Sequence, residues 1–473
     1  MKRLTSVSLL SIVLGACTIG PDYVRPEFVP PSNWKTISEK KDISWQLAQP
    51  KDNVAKSSWW EIYNDTTLNQ LEQQALVSNQ TIAIALNRID QASAGLETRS
   101  AARLPVVQIG VVGSDGKISA NRPLTNYATP NQTTTQWDLK PIVSVSYEFD
   151  WLGKIRRDVE SAKAVAEQSQ YDFENVKLVM TAQLAQLYFA IRQSDEELQV
   201  LNEIQQIQLK SLNFIKKRHE EGLANSAEVN LQNSTLKVTM AQIELLNGQR
   251  RVQEDAIATM VGVPAPSFQL PSGKLPSVVP VIPAVLPSVL LERRPDIASA
   301  ERAMISANAQ IGVSKAAYYP SLILAPTYLG YEATAIQDLL SIPSMIWSIG
   351  LQATQTLFDG GRLEGGVNLA KANYRTSVAT YRQTILSAFQ ETQDALGNLE
   401  QITKARALQE EALASQNRAL KISQIRYQAG LDNVNNLLLT EQNQLSIARA
   451  ATQLKASQLI SSVGLVKALG GGW

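Results

Sequence analysis

The 473-residue sequence predicts a chain that is mostly α with β, internally duplicated, and completed only by other copies of itself. Three observations carry that expectation. The N-terminus is built for a membrane anchor, two helical stretches are long enough to be rods, and two pairs of strands are too few to close a barrel.

Lys2 and Arg3 open the chain, the apolar stretch Val7 to Leu14 follows, and Gly15 and Ala16 precede Cys17, the only cysteine. A membrane-crossing helix needs about 20 apolar residues, so this shorter run reads as a signal peptide over 1–16. Leu14-Gly15-Ala16-Cys17 resembles the lipobox of bacterial lipoproteins, whose cysteine is acylated and becomes the first mature residue. Ordinary cleavage beside an incidental Cys17 is the alternative. Two or more acyl chains anchor stably where one does not. Thr18 rather than Asp after the cysteine fits the outer-membrane branch of lipoprotein sorting.

Composition narrows the chemistry. With 44 Lys+Arg against 43 Asp+Glu, no polyanionic partner such as nucleic acid is implied. His219 is the sole histidine, which removes histidine triads and most zinc sites. No glycine-rich phosphate loop is visible. The expectation is no catalytic residue, no metal site and no cofactor beyond a covalent lipid on Cys17.

The chain runs twice. RHEEGLAN (218–225) aligns with RYQAGLDN (426–433), 208 positions later, and the same offset sets Gly153-Lys154 on Gly361-Arg362. EFDWLGK (148–154) matches LFDGGR (357–362) with one residue of slippage, and SAARLP (100–105) matches KAAYYP (315–320). Ordered matches of this kind mark a duplication. The organisation is a lipidated extended segment over 17–60, a first repeat over 61–263, a Pro-bearing linker over 264–288 and a second repeat over 289–473.

From Ile155, apolar residues recur at Val159, Ala162, Ala166, Phe173, Val176, Met180, Leu184, Leu187 and Ile191, the spacing of a packed helical seam. No Pro or Gly interrupts Lys154 to Glu221, giving a rod of roughly 100 Å at 1.5 Å per residue. Leu363 to Tyr427 forms a second, with Gly397 its weak point. Gly222-Leu223 and Gly430-Leu431 end the rods, because glycine accepts the left-handed turn. Returning helices follow over 227–260 and 434–469.

WDLKPIVSVSYEF (137–149) alternates Trp137, Leu139, Pro141, Val143, Val145, Tyr147 and Phe149 with Asp138, Lys140, Ser144, Ser146 and Glu148. IWSIGLQATQTLF (346–358) does likewise, setting Trp347, Ile349 and Leu351 against Ser348, Gln352 and Thr354. Segments 106–113 and 321–331 are their partners, across loops 114–136 and 332–345. About ten alternating residues with aromatics near the ends suit a transmembrane strand, placing Trp137, Tyr147, Phe149 and Trp347 against lipid. A half-buried hairpin on a soluble protein alternates too; the anchor and the rods favour the membrane. Lipid tolerates no open sheet edge, so two chains would supply eight strands and three would supply twelve. Polar inner faces favour the wider barrel.

The whole mature chain resembles the TolC-like outer-membrane factors, specifically the lipoproteins paired with RND-type efflux pumps. The resemblance rests on CTIGPDYVRP (17–26), RRPDIASAERAMISANAQIGVSKAAYYPSL (293–322) and VKALGGGW (466–473). It implies a homotrimer: a twelve-stranded transmembrane β-barrel, four strands per chain, continuous with a periplasmic α-helical coiled-coil barrel. It also implies a passive duct whose free end docks a periplasmic adaptor bridging to an inner-membrane RND-type pump. Arg218, Gly222, Leu223, Arg426, Gly430 and Leu431 match the family's tip motif, where adaptors engage; a helix C-cap with a solvated arginine is the plainer reading. The gate candidates are Asp432, Asn435, Leu439 and Glu441. Leu439 stands where relatives often carry an acid, so rings of Leu or Asn are expected rather than a carboxylate ring. Two other functions remain open: a type I protein secretion duct and a non-conducting lipoprotein scaffold. Trp59-Trp60 is expected to pack against helices.

Overall fold

A computed structural model describes residues 18–31, 34–35, 58–121, 130–280, 282 and 293–471. Cys17 and the signal peptide lie outside the described residues, as do 36–57, 122–129 and 283–292. After a 3-10 turn at Trp59–Tyr63 come helices α1 (Thr66–Ser78) and α2 (Gln80–Ala101), strands β1 (Val106–Ile118) and β2 (Thr134–Phe149), and helices α3 (Lys154–Glu220) and α4 (Ser226–Met260). The second half runs α5 (Pro295–Ala316), β3 (Ser321–Leu324), β4 (Tyr328–Tyr331), β5 (Met345–Ser348), β6 (Leu351–Thr354), α6 (Arg362–Gln428) and α7 (Val434–Ala468).

The duplication is kept to the residue in the helical hairpins. α3 and α6 are each 67 residues, α4 and α7 each 35, and every boundary repeats at the 208 offset. Gly397 does not interrupt α6. Asn225 and Asn433 cap the return helices, accepting from Glu228 N and Asn436 N at 2.9 and 3.0 Å, which satisfies otherwise orphaned N–H groups.

The strands depart from the expectation of four unbroken segments. Both second-repeat segments are interrupted, so the sheet has six strands. Ala325-Pro326-Thr327 stands opposite only Val145-Ser146 on one side and Ile349-Gly350 on the other, one residue too many in each ladder. Pro326 has no N–H to give a ladder, so the surplus is taken up there as a bulge. Gly350 sits against Pro326, leaving little room for a Cβ. The hairpin loop of the first repeat is also shorter than expected, since pairing runs out to Ile118 opposite Thr134.

The chain divides into two compact units that cut across the repeats, each repeat contributing to both. One comprises Met1–Glu27, Ile89–Ser169 and Ala300–Tyr381 and contains the sheet. Its N-terminal strap is pinned by Asp22 to Arg157 at 2.6 Å, by Tyr23 OH donating to Glu301 at 3.2 Å, and by Ile19 N donating to Leu152 O at 2.9 Å.

The other unit comprises Phe28–Arg88, Gln170–Ser299 and Arg382–Trp473. Its core gathers Trp59, Trp60 and Tyr63 against Tyr188, Phe189, Ile257, Leu459 and Val463. Trp59 Nε1 donates to Thr181 at 3.2 Å, and Tyr63 OH pairs with Ser462 at 2.8 Å. The tryptophan pair is therefore packing. An ionic cluster holds the start of the linker: Asp195 bonds Arg192 at 2.9 Å and Arg250 at 2.6 Å. The two arginines donate to Pro271 O and Leu270 O, and Asp195 accepts from Gly273 N. A buried pair survives desolvation when its remaining donors and acceptors are met, and here the linker backbone meets most of them, Arg192 Nε alone of the cluster being buried without a partner among the described residues.

Glu72, on α1, is fully buried, and neither carboxyl oxygen finds a partner among the described residues. Burial pushes its carboxyl up to about 9. An acid raised this way takes stability from the fold as pH climbs from the unfolded value toward the folded one. Glu72→Gln is therefore expected to raise the thermal midpoint at pH 8, by an effect on the order of a few kcal/mol, with little change at pH 4. Thermal unfolding at the two pH values checks this; an equal shift at both would contradict it.

Candidate conduit elements

The sheet is effectively a four-path antiparallel meander. β1 pairs β2, β2 pairs β3 and β4, and these pair β6 and β5. Among the described residues, β1 has no neighbour on its outer side, and neither do β5 and β6. Both edges offer unpaired backbone groups.

Register turns alternation into two chemically distinct faces. Ile109, Val143, Leu329 and Trp347 stand side by side across the four paths and are 82, 42, 57 and 66% exposed. Val111 and Pro141 continue the apolar face in one direction, Leu324 and Leu351 in the other. Trp137 lies over Gly113, and Phe149 stacks edge-on against Tyr147 with centroids 4.9 Å apart. Trp137, Phe149 and Trp347 are exposed on this face, while Tyr147 is half-buried. At about 3.3 Å per residue and a tilt near 40°, Trp137 to Phe149 covers roughly 30 Å, the height of a membrane's apolar layer. The opposite face carries the row Gln108, Ser144, Tyr328 and Ser348. On it too, Lys140 bonds Asp138 at 2.6 Å and Glu332 at 3.0 Å.

The strap begins where β2 hands over to α3. Thr18 packs on Gly153, which adopts a left-handed φ of 77°, and Ile19 bonds Leu152. The residue before Thr18 is Cys17, so the chain enters the described structure at the helical end of the sheet.

At the hairpin tips the two repeats make the same turn. Gly222 and Gly430 have φ of 75° and 74°. Leu223 N donates to Arg218 O at 2.7 Å and Gly222 N to His219 O at 3.0 Å; Leu431 N and Gly430 N repeat this to Arg426 O and Tyr427 O. These are the paired bonds of a Schellman close. Each arginine folds back on its own turn, Arg218 donating to Leu223 O at 3.3 Å and Arg426 to Leu431 O at 3.5 Å. Arg218 also lies over the Tyr427 ring, 5.6 Å from its centroid. The capping reading of the arginines thus holds, and it leaves Leu223 and Leu431 63 and 70% exposed. Beneath them Ile215, Tyr427, Val434, Leu437 and Leu438 join the two hairpins in one apolar cluster.

The four gate candidates separate. Asn435 and Leu439, one helical turn apart, are both exposed. Asp432 is engaged in its own turn: it accepts from Asn436 Nδ2 at 2.6 Å and Asn433 N at 2.9 Å and lies 3.6 Å from Arg426. Those amide donors hold its carboxyl below the usual range. Glu441 corrects the expectation. It is fully buried, bonded to Ser211 of α3 at 3.1 Å, and reaches no surface that a lumen would need. Its phase on α7, six residues after Asn435 and two after Leu439, turns it into the helix seam. Sequence reading also missed Tyr427 beneath Arg218 and the Asp195 cluster; an Arg-x-x-Asp pair on an apolar seam was the available signal for the latter.

Comparison with known proteins agrees with this geometry. The sequence model of the family described as outer membrane efflux protein matches residues 71–263 and 286–471, leaving out most of the linker between the repeats. The pyoverdine export outer membrane protein OpmQ of Pseudomonas aeruginosa is 29% identical over 478 residues, covering 100% of this chain and 97% of that protein. The cation efflux system protein CusC of Escherichia coli K12 is 25% identical, covering 98% of each. Among solved structures, the outer-membrane channel OprN superposes with a TM-score of 0.87 at 26% identity, covering 97% of this chain and 100% of that one. The CmeC outer membrane channel of Campylobacter jejuni gives 0.85 at 25% identity, covering 97% and 95%.

Proposed function

We propose, from the premise that this chain belongs to the outer membrane efflux protein family, that three copies join their open sheets into one barrel and conduct solutes outward as the exit duct of a tripartite pump. The chain is an outer-membrane efflux channel; the number of copies, the docking surface and the gate are inferred. The observation that carries the reading is the sheet, apolar and exposed on one face, polar on the other, and unpaired at both edges. Hydrocarbon leaves each unsatisfied backbone group costing several kcal/mol, so the edges must be closed by other copies. Three give twelve paths, wide enough for a bore lined by Gln108, Ser144 and Lys140.

The duct itself supplies no energy. Its relatives carry names as different as pyoverdine export and cation efflux, which fits cargo choice made by the inner-membrane pump. Those names are efflux names, favouring this route over protein secretion. The exposed Leu223 and Leu431 are proposed to meet the periplasmic adaptor, with Arg218 and Arg426 holding the turns that present them. Asn435 and Leu439, repeated around a three-fold axis, are proposed to narrow the opening, with Asp432 fixing the turn beside them. Cys17 is proposed to carry acyl chains; the seat of Thr18 at the helical end of the sheet supports an anchor in the inner leaflet.

Purified protein in planar bilayers is expected to conduct, and Asn435→Ala with Leu439→Ala to conduct several-fold more. Silence from both would instead support a non-conducting scaffold. Leu223→Asp with Leu431→Asp is expected to abolish resistance to exported compounds while conductance and assembly persist; undiminished resistance would remove the tips from docking. Mass spectrometry of the mature N-terminus is expected to find Cys17 acylated, and an unmodified cysteine there refutes the anchor.

A further inference from the structure

We propose that Glu441 sets how tightly the periplasmic ends of the hairpins close: protonated, its carboxyl holds the two hairpins together, and ionised, it drives them apart. This rests on the conduit reading and names a control within it.

Glu441 lies on α7 of the second hairpin but is buried against the first. Its Oε1 accepts from Ser211 on α3 at 3.1 Å, and Oε2 has no partner among the described residues. Gln232 of α4 lies against the carboxyl and, like Ser211, offers it a hydrogen bond that favours the ionised form, an effect smaller than the burial that opposes it. That amide is itself fully buried, donating from Nε2 to Gln208 O at 3.2 Å. The side-chain oxygens of Gln208 and Gln232 are buried and equally without a donor. Three buried acceptor oxygens on one stretch of seam are therefore without a donor, and a proton on Oε2 would add one.

Among the described residues no cation offsets an ionised carboxyl there. Ser211 and Gln232 face it from the first hairpin, and neither titrates. From α6 the nearby turn contributes Gln416, which donates to Thr440 O at 3.2 Å, and the buried Leu420. The charges beside that turn, Arg418 and Lys421, are exposed. Burial accordingly pushes the Glu441 carboxyl up. A raised acid keeps the packed seam favourable below its folded value and loses that support as pH rises through it. Asp432, nine residues away and rich in amide donors, is shifted the opposite way. The two acids near the tip thus have divided duties, one fixing a turn while charged and one holding a seam while neutral.

The seam is placed to matter. Leu437 and Leu438, one turn earlier on α7, belong to the apolar cluster that unites the two tips, and Leu439 stands exposed beside them. Separating the hairpins at Glu441 moves the residues that narrow the duct.

The test is conductance of the purified full chain in planar bilayers from pH 5 to pH 9. Wild type is expected to rise several-fold across that range. Glu441→Gln, which keeps the shape and cannot ionise, is expected to stay at the wild-type pH 5 level throughout. Ser211→Ala removes a donor to the ionised form and is expected to move the midpoint to higher pH, which also carries the test if Glu441→Gln fails to assemble. A Glu441→Gln profile that follows wild type, or an unmoved Ser211→Ala midpoint, overturns the role of Glu441 and leaves the channel standing. No current from any of the three at any pH overturns the conduit reading and this inference with it.

Discussion

Backbone hydrogen bonding in hydrocarbon is the constraint from which the rest follows. Each protomer presents a sheet whose apolar row, Ile109 through Trp347, belongs against lipid, and whose first strand offers thirteen residues with no neighbour on one side among the described residues. Such an edge is unstable in a membrane as it stands. Closure by further copies satisfies it, and that requirement makes the polar face an interior. The bore is thus a consequence of pairing and not a separately built feature.

The helices obey the same logic with softer chemistry. Near the linker the hairpins share an aromatic core, reinforced by the Asp195 cluster. Between that core and the apolar cluster beneath the tips the seam turns polar, with Gln208, Gln232 and Glu441 buried and incompletely paired. Apolar residues on α6 such as Leu369, Leu408 and Ile425 remain exposed in the single chain, surface that neighbouring copies would cover. A weakly bonded stretch between two packed clusters is where local opening of the hairpins costs least.

Much of this was legible in the sequence because it is local. Helix ends lie within a residue or two of the sequence expectation, since a long apolar seam without Pro specifies the rod and a glycine at the left-handed position specifies its close. β2 was readable because its alternation is strict. The breaks at Pro326 and Gly350 were not, because a bulge is a matter of matching three ladders at once. Glu441 was misplaced for a related reason: an acid two residues from an exposed Leu439 looks accessible until the phase of α7 against α3 and α4 is known. The anchoring of the strap by Arg157 and Glu301 joins residues over a hundred apart and leaves no local trace.

Native mass spectrometry of the detergent-extracted chain tests the central claim most directly. The account predicts one dominant assembly of three copies that survives until the detergent no longer shields the apolar face. A stable single chain, or a dimer with eight paths, would contradict it.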